Sequence, residues 1–229
     1  DCMTVTDVNV VKSAIFERPD DANKGTLGSL LCVCGSYGMA GAAVMSAKGA
    51  LRTGIGLAKC ALPRSIYPIV AQTILESVYY PLSENADGRI SKVNVPFLVS
   101  ESCKSSATLV GCGLGVCDDT LKIVFSLIEN STTPLVLDAD ALNCVAKQPE
   151  ILLRKKAPII ITPHPGEMSR LTGLATPLVN AERERVALDF AQKYGVVTVL
   201  KGAGTVIASP NGKVLVNPTG NSGMATGGS

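Results

Sequence analysis

Apolar residues in this chain fall into short continuous runs separated by small and polar turns, and between several of these runs they recur at helical spacing. SLLCVCG, Ser29 to Gly35, reads as a buried strand, followed by a helix through MAGAAVMSAKGALRTG that Gly54 stops. IGLAKCALP is a second strand and, after a less regular middle, ATLVGCGLG is a third that ends in a glycine turn. DDTLKIVFSLIEN predicts a helix with its apolar stripe at 121, 124, 125 and 128 and Asp118 or Asp119 as N-cap. TPLVLDADALN is a fourth strand and APIIITPH a fifth. AERERVALDFAQKYG is a helix with Ala187, Phe190, Ala191 and Tyr194 on one side, and VVTVLKG is a sixth strand. TVIASPNGKVLVN has the form of a hairpin turning at Asn211-Gly212. Residues 1–23 read as a polar, irregular lead-in.

Strands alternating with helices predict an α/β fold built on a mostly parallel sheet covered on both faces, in a single domain over residues 1–229. With 46% hydrophobic residues the chain can bury a substantial core. No stretch approaches the roughly 20 apolar residues of a membrane span, and the N-terminus lacks a secretion signal, so a soluble, cytoplasmic protein without a membrane partner is expected. A net charge of +2, scattered along the chain, and 4% aromatic residues argue against a nucleic-acid partner. None of the eight cysteines is spaced C-x-x-C, and one histidine leaves no second imidazole for a mixed zinc site. Reduced thiols and no protein-held metal are expected, with Cys32 and Cys34 on one face of their strand.

In an open parallel sheet, ligands bind beyond the carboxyl ends of the strands. Small, polar or charged residues follow five of the predicted strands: GSYGMAGAA, GCGLG, DADALN, HPGE and KGAGT. GSYGMAGAA reads either as a tight strand-to-helix turn or as a place where backbone N–H groups approach a ligand past Gly35, Gly38, Ala40 and Gly41. GCGLG does not fit G-x-G-x-x-G, and no G-x-x-x-x-G-K-[ST] occurs, so dinucleotide-fold and P-loop fingerprints are both absent. Lys201 before Gly202 and Gly204 reads alone as a solvated lysine before a turn. Taken with the Gly/Thr/Ser-rich tail from Asn217, it reads as a phosphate clamp of one cation and many backbone donors. Of Asp138 and Asp140, one holds a magnesium-bound water or a substrate hydroxyl while the other caps the following turn, or both cap. His164, the only histidine, is structural on general grounds. Flanking Pro163 and Pro165 fix its backbone, and its place at a strand end favours a ring that offers one donor and one acceptor to an amide or ribose. Glu167 falls near the next helix start, where the dipole favours a carboxylate.

KGTLGSLLCVCGSYGMAGAA, LVGCGLG, LDADALN, TPHPGEMSRLTG, VLKGAGTVI and GNSGMATGGS together resemble the ADP/ATP-dependent NAD(P)H-hydrate dehydratases, over about residues 24 to 229. These are a branch of the ribokinase-like superfamily, often fused behind an epimerase domain. The resemblance implies a three-layer αβα sandwich and a metabolite-repair lyase. A phosphoryl group from ADP or ATP, with Mg2+, is spent on the ring hydroxyl of (6S)-hydrated NADH or NADPH (NADHX or NADPHX), and elimination restores the reduced cofactor. Ala40, Gly113 and His164 match positions that hold the hydrated cofactor. Lys201, Gly202, Ala203, Gly204 and Thr205, with Asn221, Gly227 and Gly228, match the nucleotide-binding positions. The family's catalytic aspartate would lie beyond Ser229, so a C-terminally truncated segment is expected. A homotetramer that prefers ADP is the expected assembly and donor. Two other readings share these motifs: a ribokinase-like kinase for a vitamin precursor, and a nucleotide-binding protein without turnover.

Overall fold

The computed structural model describes residues 3–15, 20 and 25–227, which form two compact units, one of residues 1–22 and 160–229 and the other of residues 23–159. In the first unit the chain opens with strand β1 (Met3–Val5) and helix α1 (Val8–Ala14), whose N-cap Asp7 accepts from the N–H groups of Asn9 and Val10. The expected irregular lead-in is therefore ordered over these residues, and the rest of it lies largely outside the described residues. Local sequence carries little trace of a three-residue strand, because what makes β1 a strand is its register against residues 214–216.

The second unit contains β2 (Ser29–Val33), α2 (Ala40–Thr53), β3 (Leu57–Pro63), α3 (Tyr67–Thr73), β4 (Val78–Leu82), α4 (Val95–Cys103), β5 (Ala107–Val110), α5 (Asp118–Asn130), β6 (Leu135–Leu137) and α6 (Asp140–Val145). Its strands lie in the order β6-β5-β2-β3-β4, every neighbouring pair parallel. Leu31, Cys32, Val33 and Cys34 are all buried, so both faces of the central strand are covered, as a sheet built from crossover connections requires. Cys32 and Cys34 share one face and pack against Ala43 and Ala47 of α2 and Val70 of α3. Alanines at these inward positions let α2 lie close to the strands. Gly54, at φ 101°, ends α2 as the sequence predicts.

Helix α5 has the predicted limits but a different cap and a wider buried arc. Its N-cap is Cys117, and Asp118 and Asp119 occupy the first turn, where carboxylates favour the positive end of the helix dipole. Thr120, Ile123, Val124, Ser126, Leu127 and Ile128 are buried, whereas Leu121 and Phe125 of the predicted stripe are only partly covered. The less regular middle of the sequence contains α3, α4 and β4; β4 escapes periodicity because it is an exposed edge strand that carries Pro81.

The first unit resumes at Ile160, within β7 (Ile159–Ile161), and continues with α7 (Pro165–Thr172), α8 (Thr176–Ala181), α9 (Arg183–Tyr194), β8 (Val197–Leu200), β9 (Thr205–Ala208) and β10 (Val214–Asn217). Its strand order is β1-β10-β9-β8-β7; β8 is parallel to β7, β9 is antiparallel to both its neighbours, and β1 is parallel to β10. The predicted hairpin is present, with Gly212 N–H donating to the Ser209 carbonyl at 3.0 Å. Val186, Ala187, Phe190, Ala191 and Tyr194 are the buried side of α9.

Backbone approach, more than side-chain volume, fixes the end of β5. Gly111 has φ 130°, and a Cβ there would stand 1.8 Å from the carbonyl oxygen of Asp138. Gly111→Ala should therefore destabilise the protein by about 3 kcal/mol or more, through strain and a backbone clash together. Gly49, exposed within α2, faces open space where a Cβ would stand, with no heavy atom within 4 Å. Gly49→Ala should stabilise by about 0.5–1 kcal/mol. Opposite shifts in denaturant midpoint for the two variants would bear this out, and equal shifts would contradict it.

Candidate functional site

In the first unit the carboxyl ends of β7 and β8 bring HPGE beside KGAGT. α7 starts with a capping box. His164 Nδ1 accepts from the N–H groups of Gly166 at 3.0 Å and Glu167 at 3.3 Å, while Glu167 Oε2 accepts from the His164 N–H at 2.8 Å. Pro165 takes the first helical position, where its missing N–H costs nothing. Both the histidine and the glutamate are thus tied to helix initiation. This changes what the ring can offer. With Nδ1 accepting, a neutral imidazole carries its proton on Nε2, which lies 3.5 Å from Glu167 Oε1. The donor-plus-acceptor reading of His164 is therefore corrected: the acceptor nitrogen is engaged by the helix, leaving the Nε2 side of a ring that is half exposed.

Lys201 follows β8, and its ammonium stands 4.0 Å from Glu167 Oε2. Glu167 is 5% exposed, so His164 and Lys201 gather around one buried carboxylate. Behind Lys201 the loop closes on itself: Gly202 N–H donates to Thr205 Oγ1 at 3.3 Å, and that hydroxyl donates to the Gly202 carbonyl at 3.0 Å. Gly202 has φ 148°, and the guanidinium of Arg183 occupies the space where a side chain at 202 would stand. Ala203 and Gly204 form the exposed and half-exposed tip before β9. Asn221 caps the short turn Ser222–Met224 by accepting from Gly223 N–H at 2.9 Å. Gly227 is exposed, and Gly228 lies outside the described residues.

In the second unit the turns after β2, β5 and β6 are held together. The Gly35 N–H donates to the Cys112 carbonyl at 2.8 Å, and the buried Ser36 hydroxyl donates to the Gly113 carbonyl at 2.8 Å. A Cβ on Gly113 would meet Ala42 Cβ at 2.7 Å and Met39 Cβ at 3.1 Å, so this turn sits directly on the start of α2, where Ala40 is the first residue. Asp140 does not cap the following helix. Its Oδ2 accepts from the Gly115 N–H at 2.8 Å and so ties the glycine turn to α6. Asp138 Oδ2 accepts from the Cys112 thiol at 3.6 Å. A thiol hydrogen bond from Cys34 holds Cys112 below its ordinary value, against the opposing effects of burial and Asp138. Ala139, between the two aspartates, has φ 51°, an uncommon conformation for a residue with a side chain.

Seven cysteines are described and all are free. No group of three or more His, Cys, Asp or Glu side chains among the described residues could hold a metal ion. In the sequence Glu167 is legible only as a carboxylate at a helix start, and Ser36 and Arg183 carry no local signal. The E at the third position after H in HPGE is the visible signal for the capping box. Ser36 and Arg183 act through main-chain carbonyls distant in sequence.

The family model described as NAD(P)H-hydrate dehydratase matches residues 30–229. The bifunctional NAD(P)H-hydrate repair enzyme Nnr of Thermofilum pendens is 41% identical over 212 residues, which are 93% of this chain and 40% of that enzyme. The chain thus spans about two-fifths of that relative's length. The ADP-dependent (S)-NAD(P)H-hydrate dehydratase of Neisseria meningitidis serogroup B is 34% identical over 215 residues, 93% of this chain and 68% of that protein. Among solved structures, the ADP/ATP-dependent NAD(P)H-hydrate dehydratase of Bacillus subtilis co-crystallized with ATP/Mg2+ has a TM-score of 0.82 at 30% identity, covering 98% of this chain and 76% of that one. A ribokinase-like superfamily protein of Enterococcus faecalis has a TM-score of 0.83 at 22% identity, with 99% and 75% covered. The fold class is accordingly ribokinase-like α/β, mostly parallel strands with helices on both faces. On the match over residues 30–229 and on relatives of this similarity, the chain belongs to the NAD(P)H-hydrate dehydratase family.

Proposed function

We propose that this chain carries out nucleotide-dependent dehydration of (6S)-hydrated NADH and NADPH. The ring hydroxyl takes a phosphoryl group from the nucleotide. Loss of that phosphate with a ring proton then restores the double bond, so the hydrate and ADP become the reduced cofactor, phosphate and AMP. With ATP the nucleotide product is ADP. The observation that carries this reading is the family match over residues 30–229. ADP as the preferred donor follows the name of the Neisseria relative, and ATP as an alternative follows the ligand of the Bacillus crystal structure.

Within the first unit, Lys201 supplies a cation and the Ala203-Gly204 tip supplies backbone donors for the nucleotide phosphates, Gly202 and Thr205 shape that tip, and Asn221, Gly227 and Gly228 of the tail are assigned to the same ligand. His164 offers its Nε2–H to the hydrated cofactor. In the second unit, Ala40 and Gly113 are assigned to hydrated-cofactor binding on the strength of the resemblance. Mg2+ belongs to this reading as the counter-ion of the nucleotide phosphates. Assembly as a homotetramer and residence in the cytoplasm complete the proposal on the strength of the resemblance. No described helix is long and apolar enough to cross a membrane.

Incubating the full-length protein with hydrated NADH, Mg2+ and ADP or ATP should release phosphate and recover the absorbance of the reduced nicotinamide. A stable phosphoester would indicate a kinase, and bound nucleotide without reaction would indicate a binding protein. His164 has two roles to separate. His164→Ala should lose the N-cap, about 1 kcal/mol of stability, whereas His164→Asn keeps a capping side chain. Both should weaken hydrated NADH by roughly tenfold, the worth of one hydrogen bond, and leave ADP affinity unchanged. Equal weakening of both ligands, or an Asn variant that binds the hydrate like the wild type, would reduce His164 to its capping role.

A further inference from the structure

Arg183 begins α9, and its guanidinium turns inward instead of toward solvent. One terminal nitrogen donates to two successive carbonyls, Leu200 O at 2.8 Å and Lys201 O at 3.1 Å. Those carbonyls belong to the two peptide planes that flank the α-carbon of Lys201. The N–H ends of the same planes are also engaged. Lys201 N–H donates to Pro163 O at 2.8 Å, and Gly202 N–H donates to Thr205 Oγ1 at 3.3 Å. Because a trans peptide is planar and its C=O and N–H point in opposite directions, a partner at each end leaves it little rotation. Lys201 is thereby fixed on both sides, which directs its side chain toward Glu167, 4.0 Å away.

Among the described residues the guanidinium has no further hydrogen-bond or ion-pair partner beyond these two carbonyls. Its Nε is buried without a hydrogen-bond partner among the described residues, and burial draws the group below its ordinary value. A Cβ on Gly202 would lie 2.9 Å from one terminal nitrogen and 3.0 Å from the other, so a side chain at 202 would displace the cation. A lysine would bring charge but not a rigid planar fork.

We propose that Arg183 is the positioning residue of the 201–205 loop, holding the peptide planes around Lys201 so that its ammonium and the loop's N–H groups are arranged for a polyphosphate before one binds. This rests on the nucleotide-binding reading of that loop. Arg183 acts through Lys201 and Gly202, and no contact of its own with ligand is required.

The test uses the full-length protein with Arg183→Lys and Arg183→Met. Three quantities are read: ADP affinity by calorimetry, hydrated-NADH affinity, and amide exchange at Gly202 and Thr205. Both variants should weaken ADP by about tenfold or more, the effect of losing charge-assisted hydrogen bonds. Hydrated-NADH affinity should hold, and exchange at the two amides should accelerate. Free guanidinium ion should partly restore ADP binding to the Met variant. A Lys variant that binds ADP like the wild type would show that charge alone matters and would overturn the proposal. A common loss of both affinities with a lowered melting temperature would overturn it too, by making Arg183 a general fold support. If the wild type binds no adenine nucleotide, the functional reading fails by itself. The exchange rates then decide the positioning claim, and unaltered exchange in the Met variant would overturn it.

Discussion

Glu167 places a carboxylate where water scarcely reaches, and the strand ends of its unit are organised by that fact. A buried charge is costly unless hydrogen-bonded and paired. Glu167 accepts from the His164 N–H at 2.8 Å, has the Lys201 ammonium at 4.0 Å and faces His164 Nε2 at 3.5 Å. The same carboxylate therefore starts a helix, orients an imidazole and attracts the lysine of the neighbouring strand end. Position 164 is correspondingly constrained. It must provide a side-chain acceptor for the first turn of α7, and the imidazole does so with Nδ1 while keeping a donor on the other side. The lone histidine is thus structural and chemically equipped at once, because its two nitrogens do different things.

In the other unit the constraint is main-chain proximity. At the end of β5 the backbone of Gly111 approaches the Asp138 carbonyl too closely for any side chain, and Ser36 and Asp140 hold the same glycine turn from opposite ends. Asp140 fixes a loop through its carboxylate, which accepts from the Gly115 N–H. The main-chain groups of these turns are thereby spent on one another, which is what holds the three strand ends in register.

Much of this was legible in the sequence because the relevant signals are local. Runs such as PIIIT and TVL mark strands, with Ile159, Ile161, Thr198 and Leu200 buried and Ile160 and Val199 partly covered, and α9 shows its inward residues at helical spacing with Gly195 to stop it. The strand ends could be located for the same reason. What was not legible depends on distant partners. β1 exists through its pairing with β10, and β4 is an exposed edge strand with a proline. The cap of α5 fell to Cys117 because the two aspartates are better placed inside the first turn. The tautomer of His164 follows from geometry that sequence spacing implies only in outline.

Two residues break local rules, and both bear on the loops beyond strand ends. Ala139 adopts φ 51° between two aspartates, where a residue with a Cβ is disfavoured. Arg183 puts a cation at the first position of α9, the end where the helix dipole favours an anion. Neither choice is explained by its own segment. Tertiary partners account for the second: the carbonyls of Leu200 and Lys201 supply the negative potential that the helix start lacks, so the unfavourable placement becomes the means of fixing a neighbouring loop. Since natural sequences tend to satisfy local preferences, a residue retained against its local preference carries more information about a site than one that agrees with it. By that criterion, the arginine at the head of α9 is the signal in ERERVALDF that periodicity alone treats as an ordinary polar face.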